Sequence, residues 1–294
     1  MSDVIRGLWV ALPTPLTEAG AVNRAALVRH AQWLLAEGCD GFVPFGTTGE
    51  GPSFSGAERL AAVEAMLAGG ISAERIGLGA GFPALPDTVA LVRAGLALGL
   101  QHMLLLPPYF YRDVSPQGIE DAFAAVIDDV ADERLRVTLY HIPQTSGVAV
   151  PPAAAASLRG RYGAVVAGLK DSSGDYAQFE AFRAAAPDIA VTVGNEADIS
   201  RAIAAGGAGT ICGMANIAPR LVRAMFTDAE GAGPMREAIA QMRGPFVPTL
   251  KSVLAAQTGE AAWLRVRPPL RAADATTGAQ IAHVLEGLSA RKPG

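Results

Sequence analysis

Eight short apolar runs recur along most of the chain, each separated from the next by a helical pattern. They read GLWVAL (7–12), GFVPFG (41–46), RIGLGAG (75–81), HMLLLPP (102–108), RVTLYHI (136–142), VVAGLK (165–170), IAVTVG (189–194) and GTICGMA (209–215). Apolar runs without strict alternation suit strands buried on both faces. The intervening segments carry helix start and stop signals. Asn23 can cap a helix whose apolar stripe is Leu27, Ala31, Leu34 and Leu35, and Gly38 ends it. Ser55 and Glu58 have the spacing of a capping box, and Ser115 precedes Pro116 as an N-cap before a first-turn proline. Strands alternating with helices form right-handed βαβ units and a parallel sheet. Eight such units predict a closed (β/α)8 TIM barrel, with a doubly wound open sheet as the alternative.

From about residue 229 no strand pattern follows. Two or three helices are predicted around 234–256 and 277–290, with VRPPLR between them. The expected organisation is one structural unit: a barrel over 1–228 and a C-terminal helical extension over 229–294 packed on it. The glycines of AGGAGTICG precede the eighth strand and read as tight-turn residues, on the barrel face that carries stability and not chemistry.

Composition narrows the function. Of 294 residues 50% are hydrophobic and 18% charged, ample for a large core. A formal net charge of −4, a pI near 5.6 and the lack of any basic stripe argue against nucleic acid or an anionic membrane as partner. No apolar segment approaches the roughly 18 residues of a membrane span, and MSDVIRGLWV lacks the pattern of a signal peptide. Cys39 and Cys212 lie in apolar or glycine-rich contexts and read as small buried thiols of a reducing compartment, so a cytoplasmic location is expected. His30, His102, His141 and His283 form no ligand spacing; the sequence calls for no metal and no cofactor.

Lysine usage singles out one residue. Among 24 basic residues only Lys170, Lys251 and Lys292 are lysine, and Lys170 ends the apolar run VVAGLK. It can snorkel to water like many strand-end charges. Yet arginine stays protonated, whereas a desolvated lysine can become a nucleophilic amine, so amine chemistry is the sharper reading. In a barrel, chemistry sits in the loops after the strands. Those loops hold GTTGE (46–50), PPYFYR (107–112), YHIPQTSG (140–147), Lys170 and GNE (194–196). Tyr140 is either a core tyrosine or a phenol that shuttles a proton to a carbinolamine. GTTGE is either an ordinary turn or a carboxylate receptor built from two hydroxyls and backbone N–H groups.

GTTGE, YHIPQTSG and GLKDSSGD, in this order and at these intervals, resemble the dihydrodipicolinate synthase / N-acetylneuraminate lyase family of class I pyruvate-dependent aldolases, over roughly residues 5–290. The resemblance implies that Lys170 forms a Schiff base with a 2-oxo acid and that Tyr140 is the general acid/base. It implies Thr47 as relay hydroxyl, Thr48 as carboxylate anchor, Ile211 as the residue whose backbone faces the pyruvate unit, and Gly194 near that unit's outer end. It also implies a homotetramer built as a dimer of dimers, to which the aromatic cluster Tyr109, Phe110 and Tyr111 would contribute interface area. Three positions depart from the family. Phe110 stands where many members have a relay tyrosine, for which Tyr109 or Tyr111 would have to substitute. Thr145 replaces the arginine of synthases that bind aspartate semialdehyde. Glu196 is in register with a polar group of the sialic-acid lyases, but Gly213 stands where those have serine.

The expected function is therefore a lyase or aldolase that cleaves or forms a 2-oxo acid, such as a 2-keto-3-deoxy sugar acid or 4-hydroxy-2-oxoglutarate, with Thr145 and Glu196 as further substrate-binding residues. Alternatives are a dihydrodipicolinate synthase, a keto-deoxy sugar acid dehydratase, and a catalytically silent barrel that only binds a 2-oxo acid.

Overall fold

The strands form where the apolar runs lie: β1 (Gly7–Leu12), β2 (Gly41–Pro44), β3 (Gly77–Gly79), β4 (His102–Leu105), β5 (Arg136–His141), β6 (Val166–Asp171), β7 (Ala190–Val193) and β8 (Gly209–Cys212). In the computed structural model, which describes residues 4–227 and 232–290, they pair in the order β2-β1-β8-β7-β6-β5-β4-β3. Every ladder is parallel. A parallel bridge between Phe42 and Ile76 brings β2 alongside the approach to β3. First and last strands are thus neighbours and the sheet curls on itself, a TIM barrel; the doubly wound alternative falls because its strand order reverses midway.

The helices follow in sequence: α1 (Arg24–Ala36), α2 (Gly56–Ala68), α3 (Leu85–Ala97), α4 (Pro116–Val130), α5 (Pro143–Ser146), α6 (Pro152–Tyr162), α7 (Tyr176–Ala185), α8 (Ile199–Ala204), α9 (Pro219–Ala224), α10 (Ala232–Gln241), α11 (Phe246–Thr258) and α12 (Ala275–Ala290). The expected caps are in place. Asn23 accepts from the Ala26 amide, Ser55 and Glu58 close a capping box, and Ser115 accepts from the Gly118 amide. Alternation along the strands divides the core in two. Trp9, Ala11, Val43, Leu104, Tyr140 and Ile211 pack inside the barrel, while residues of opposite parity such as Leu8, Val10 and Phe42 pack outward under the helices.

Among the described residues the C-terminal extension holds three helices, the larger of the two numbers expected. The stretch expected to be helical over 234–256 is divided into α10 and α11, because Gly244 takes a φ of +90° and Pro245 follows it. The domain boundary expected at 228–229 lies outside the described residues. α11 is anchored on the barrel by a fully buried ion pair: Lys251 Nζ lies 2.6 Å from Glu50 Oε1 and also donates to the Thr14 carbonyl at 2.8 Å. Glu50 Oε2 accepts from the Arg267 amide at 3.2 Å. Burial pushes the Lys251 ammonium toward neutrality, and Glu50 opposes that shift. Removing one partner of such a pair typically costs about 3–5 kcal/mol, since the other charge stays buried.

His30 on α1 gives the fold an acid-sensitive point. Its Nε2 lies 3.1 Å from Asn216 Oδ1, and Asn216 spends its own amide N–H groups on the Ala11 and Gly213 carbonyls. Nε2 therefore donates. Burial lowers the His30 pKa from 6.5 to about 4, the bond to Asn216 opposing. Unfolded His30 binds a proton below pH 6.5 and the folded state does not until about pH 4. Stability thus falls with pH across that window, by roughly 3 kcal/mol. Denaturant titrations at pH 7 and pH 4 should show that loss, and His30→Gln, which keeps the donor, should remove most of it. An unaltered pH dependence in the variant would refute this assignment.

Candidate active site

β5 and β6 run in register with Tyr140 opposite Lys170, so both side chains enter the barrel at its C-terminal mouth. Lys170 Nζ donates to the Tyr140 hydroxyl at 3.3 Å and stands 4.3 Å from the centre of its ring. The same hydroxyl lies 3.1 Å from Thr47 Oγ1, contributed by the loop after β2. Amine, phenol and alcohol thus form one hydrogen-bonded line. Lys170 is 4% exposed and Tyr140 2%. The contrast with Lys251 is informative: Lys251 answers its buried charge with Glu50, whereas Lys170 forms no ion pair among the described residues.

Lys170 opens onto a cavity of about 410 Å³. Thr47, Thr48, Tyr140, Gly194, Glu196 and Ile211 all line it, so most of the residues expected from sequence converge there. Gly194 is required by geometry. A Cβ at that position would stand 2.0 Å from Ser172 Oγ and 3.0 Å from Lys170 Cε. Glu196 lines the cavity and also holds its wall: Oε1 accepts from the Gly213 and Met214 amides at 3.0 and 2.9 Å. Burial raises the Glu196 pKa, with those two N–H groups and the Lys170 charge pulling the other way. Its carboxylate is in part a clamp on the loop leaving β8.

Thr145 is the exception. It lines a neighbouring, largely apolar chamber of about 320 Å³ that shares Thr47, Tyr140 and Ile142 with the lysine cavity as a common wall. The cause is α5. Four residues after Ile142 coil instead of running straight on, and each helical step rotates the side chain by about 100°. Gln144 turns into the lysine cavity, its amide donating to the Ser172 carbonyl at 2.6 Å, while Thr145 turns to the other side. Ser146 spends its hydroxyl on the Ile142 and Val148 carbonyls. Arg112 lines an outer surface pocket with Thr145 and Ser146, beside Gly147.

The comparisons with known proteins agree with this fold. A dihydrodipicolinate synthetase family model matches residues 4–264. The chain belongs to the dihydrodipicolinate synthetase family. A Chloroflexus aurantiacus protein described as an uncharacterized DapA-like lyase is 36% identical over 240 residues, 81% of this chain and 79% of the relative. The 4-hydroxy-tetrahydrodipicolinate synthase of Anaeromyxobacter sp. is 33% identical over 76% of this chain and 75% of its own length. The crystal structure of dihydrodipicolinate synthase from Agrobacterium tumefaciens superposes with a TM-score of 0.91 at 32% identity, covering 97% of this chain and 99% of that one.

Within this dihydrodipicolinate synthetase family member, the strand-four aromatics stand apart from the lysine. Phe110 is 79% exposed with a φ of +104°, and Tyr111 is 75% exposed. Tyr109 lines the apolar chamber near Arg59, and burial raises its pKa. Neither tyrosine lines the lysine cavity of this chain. Sequence reasoning also missed contributors to the site. Gln144 and Asn195 are uncharged amides on the cavity wall, and Phe246 reaches it from the first turn of α11. Glu50, inside the GTTGE motif, was passed over as part of a receptor loop; its αL conformation (φ 56°) and the Lys251 contact fix that loop from behind.

Proposed function

We propose that Lys170 forms an imine with a 2-oxo acid and that this enzyme cleaves hydroxylated 2-oxo acids, releasing pyruvate. The Lys170 amine adds to the C2 carbonyl, and the carbinolamine loses water with the Tyr140 hydroxyl moving the proton. Tyr140, backed by Thr47, then takes the proton of the C4 hydroxyl. The C3–C4 bond breaks, its electron pair passes into the enamine, and the aldehyde leaves. Protonation at C3 and hydrolysis return Lys170 and free pyruvate. Thr48 and neighbouring backbone N–H groups hold the carboxylate. Support comes from the 3.3 and 3.1 Å contacts that join the three groups.

One observation carries the choice of substrate class. Among the described residues that line the cavity, Lys170 is the single cation, and Gln144, Ser172 and Asn195 stand beside the Glu196 carboxylate. A synthase that condenses pyruvate with aspartate semialdehyde must hold a second carboxylate. Lacking a paired guanidinium there typically costs about 2–5 kcal/mol, roughly 30-fold or more in productive binding. Hydroxyl groups need no cation and suit amide and hydroxyl partners. A panel of 2-keto-3-deoxy sugar acids, whose aldehyde half carries hydroxyls and no second carboxylate, assayed for pyruvate release, should therefore outperform aspartate semialdehyde condensation in kcat/KM. By contrast 4-hydroxy-2-oxoglutarate, a dicarboxylate, should share the semialdehyde's penalty. Efficient turnover of the semialdehyde, sensitive to Arg112→Ala, would restore the synthase reading. Water loss without pyruvate would point to a dehydratase, and imine formation without turnover to a binding barrel.

The assembly is a homotetramer in this reading, a dimer of dimers. The exposed, T-stacked rings of Phe110 and Tyr111 support it, since aromatic area at a loop tip is costly to leave in water. Sedimentation at micromolar concentration should give a tetramer mass, and Phe110→Asp should shift it to smaller species. An active monomer would count decisively against the assembly.

A further inference from the structure

His141 follows Tyr140 on β5 and points the opposite way. Strand alternation sends Tyr140 into the barrel and His141 outward, where its ring packs edge-on against Phe182 of α7 with centres 5.1 Å apart. His141 is 3% exposed and lines neither the lysine cavity nor the apolar chamber. Its Nδ1 lies 3.0 Å from the Val150 backbone nitrogen and accepts that N–H. An amide N–H can only donate, so Nδ1 carries no proton and the ring is the neutral tautomer with its proton on Nε2. Burial agrees with this: it holds the His141 pKa below the ordinary 6.5, with the charge of Asp171, opposite in register on β6, pulling the other way.

That one bond joins the two ends of a loop. Residues 142–149 run from β5 to the approach of α6 and place Ile142, Gln144, Thr145 and Ser146 along the walls of the two cavities. The loop's internal bonds set its shape. The Thr145 and Ser146 amides donate to the Ile142 carbonyl, and the Gly147 amide donates to the Pro143 carbonyl. Where the loop stands on the barrel is a separate matter. Among the described residues two hydrogen bonds fix it: Val150 to His141, and Gln144 Nε2 to the Ser172 carbonyl at 2.6 Å, on the wall of the lysine cavity.

We propose that His141 is a positioning residue, whose neutral ring clamps the loop at Val150 and so holds Gln144 in the wall of the lysine cavity. This role rests on the imine reading above, because it is defined by turnover at Lys170. The ring touches no substrate and acts only through the loop. Without an acceptor at Nδ1, the Val150 N–H loses its partner in a buried place and one end of the loop is freed. Gln144 then leaves its place on the wall for part of the time, and productive binding falls.

The test compares wild type, His141→Asn, His141→Gln and His141→Leu. Asparagine puts an acceptor oxygen where histidine has Nδ1, whereas glutamine carries its oxygen one bond farther, near the place of Nε2. Glutamine and leucine fill the space beside Phe182 better than asparagine does. Packing and hydrogen bonding therefore rank the variants in opposite orders. Two readouts are taken: kcat/KM for whichever 2-keto-3-deoxy sugar acid wild type cleaves best, and hydrogen exchange of the peptide spanning 142–150. His141→Asn should stay within about threefold of wild type and keep the loop protected, although the void it leaves lowers its Tm. His141→Gln and His141→Leu should lose about tenfold or more in kcat/KM, chiefly through KM, and exchange the loop faster. Gln144→Ala should also lower kcat/KM, and adding His141→Gln to it should cost little more, since both act on one wall.

Borohydride trapping with pyruvate runs in parallel. If wild type traps pyruvate but His141→Gln matches or exceeds His141→Asn in activity, His141 only packs; the positioning role is overturned while the imine reading stands. Trapping without cleavage of any acid in the panel has the same consequence. If wild type traps no pyruvate, the imine reading fails and the positioning role falls with it. Should His141→Leu not fold, the comparison of His141→Asn with His141→Gln decides alone.

Discussion

Lys170→Arg is expected to lose 2-oxo acid turnover by a factor on the order of 10⁵ or more, while remaining folded and keeping its positive charge. Arginine fills similar volume at the end of β6 and preserves attraction for a carboxylate, but a guanidinium cannot condense with a ketone. The variant thus separates electrostatic binding from covalent chemistry. Single-turnover assays for pyruvate release read the loss directly, and near-normal thermal unfolding excludes collapse as its cause. Activity within tenfold of wild type would move the reacting amine elsewhere. Lys251 is the obvious rival, being 0% exposed, but its ammonium is bonded to Glu50 and Thr14 on the far side of the GTTGE loop.

Tyr140→Phe should lower kcat by about 10²–10⁴ with a smaller effect on KM. The substitution keeps the ring that packs with Ile142 and Leu104 inside the barrel and over Lys170. Only the hydroxyl that bridges Lys170 and Thr47 is lost. Carbinolamine dehydration and C3–C4 cleavage both need that proton carrier, so both slow. Imine formation should still occur on Lys170, only more slowly. Thr47→Val should reproduce part of the same loss, because Thr47 acts through the phenol. A Tyr140→Phe enzyme within threefold of wild type would show that the hydrogen-bonded line carries no proton.

The fold was legible because its signals are local. Each apolar run is bounded by turn residues, and each helix cap lies within a few residues of the helix it starts. Lys170 and Tyr140 were legible for a related reason: the end of a barrel strand fixes where its last side chains point. What escaped depends on contacts between distant segments. Glu50 and Lys251 are 201 residues apart, and nothing near either residue announces the pairing. Lysine scarcity marked Lys251 as much as Lys170, yet only a strand-end position suggested chemistry. Thr145 was misplaced because α5 is four residues long, too short to show a helical period, and a single turn of coil sends adjacent side chains to opposite walls. The break before α11 was readable from Gly244 and Pro245, a breaker pair inside the helical stretch at 234–256. Phe246 left only an indirect mark, the glycine at position 213, against which its ring lies and where a serine was expected.

The central claim is that Lys170 is the amine that captures a 2-oxo acid, and one measurement bears on it without reference to the final substrate. The protein is incubated with pyruvate and sodium borohydride, digested, and its peptides are weighed. Borohydride reduces an imine to a stable secondary amine, so capture leaves one carboxyethyl group on the reacting lysine. Expected is a single modified peptide, the one containing Lys170, with no modification when pyruvate or borohydride is omitted and none in Lys170→Arg. Modification at Lys251 or Lys292 instead, or an unmodified chain after full exposure to both reagents, would contradict the claim.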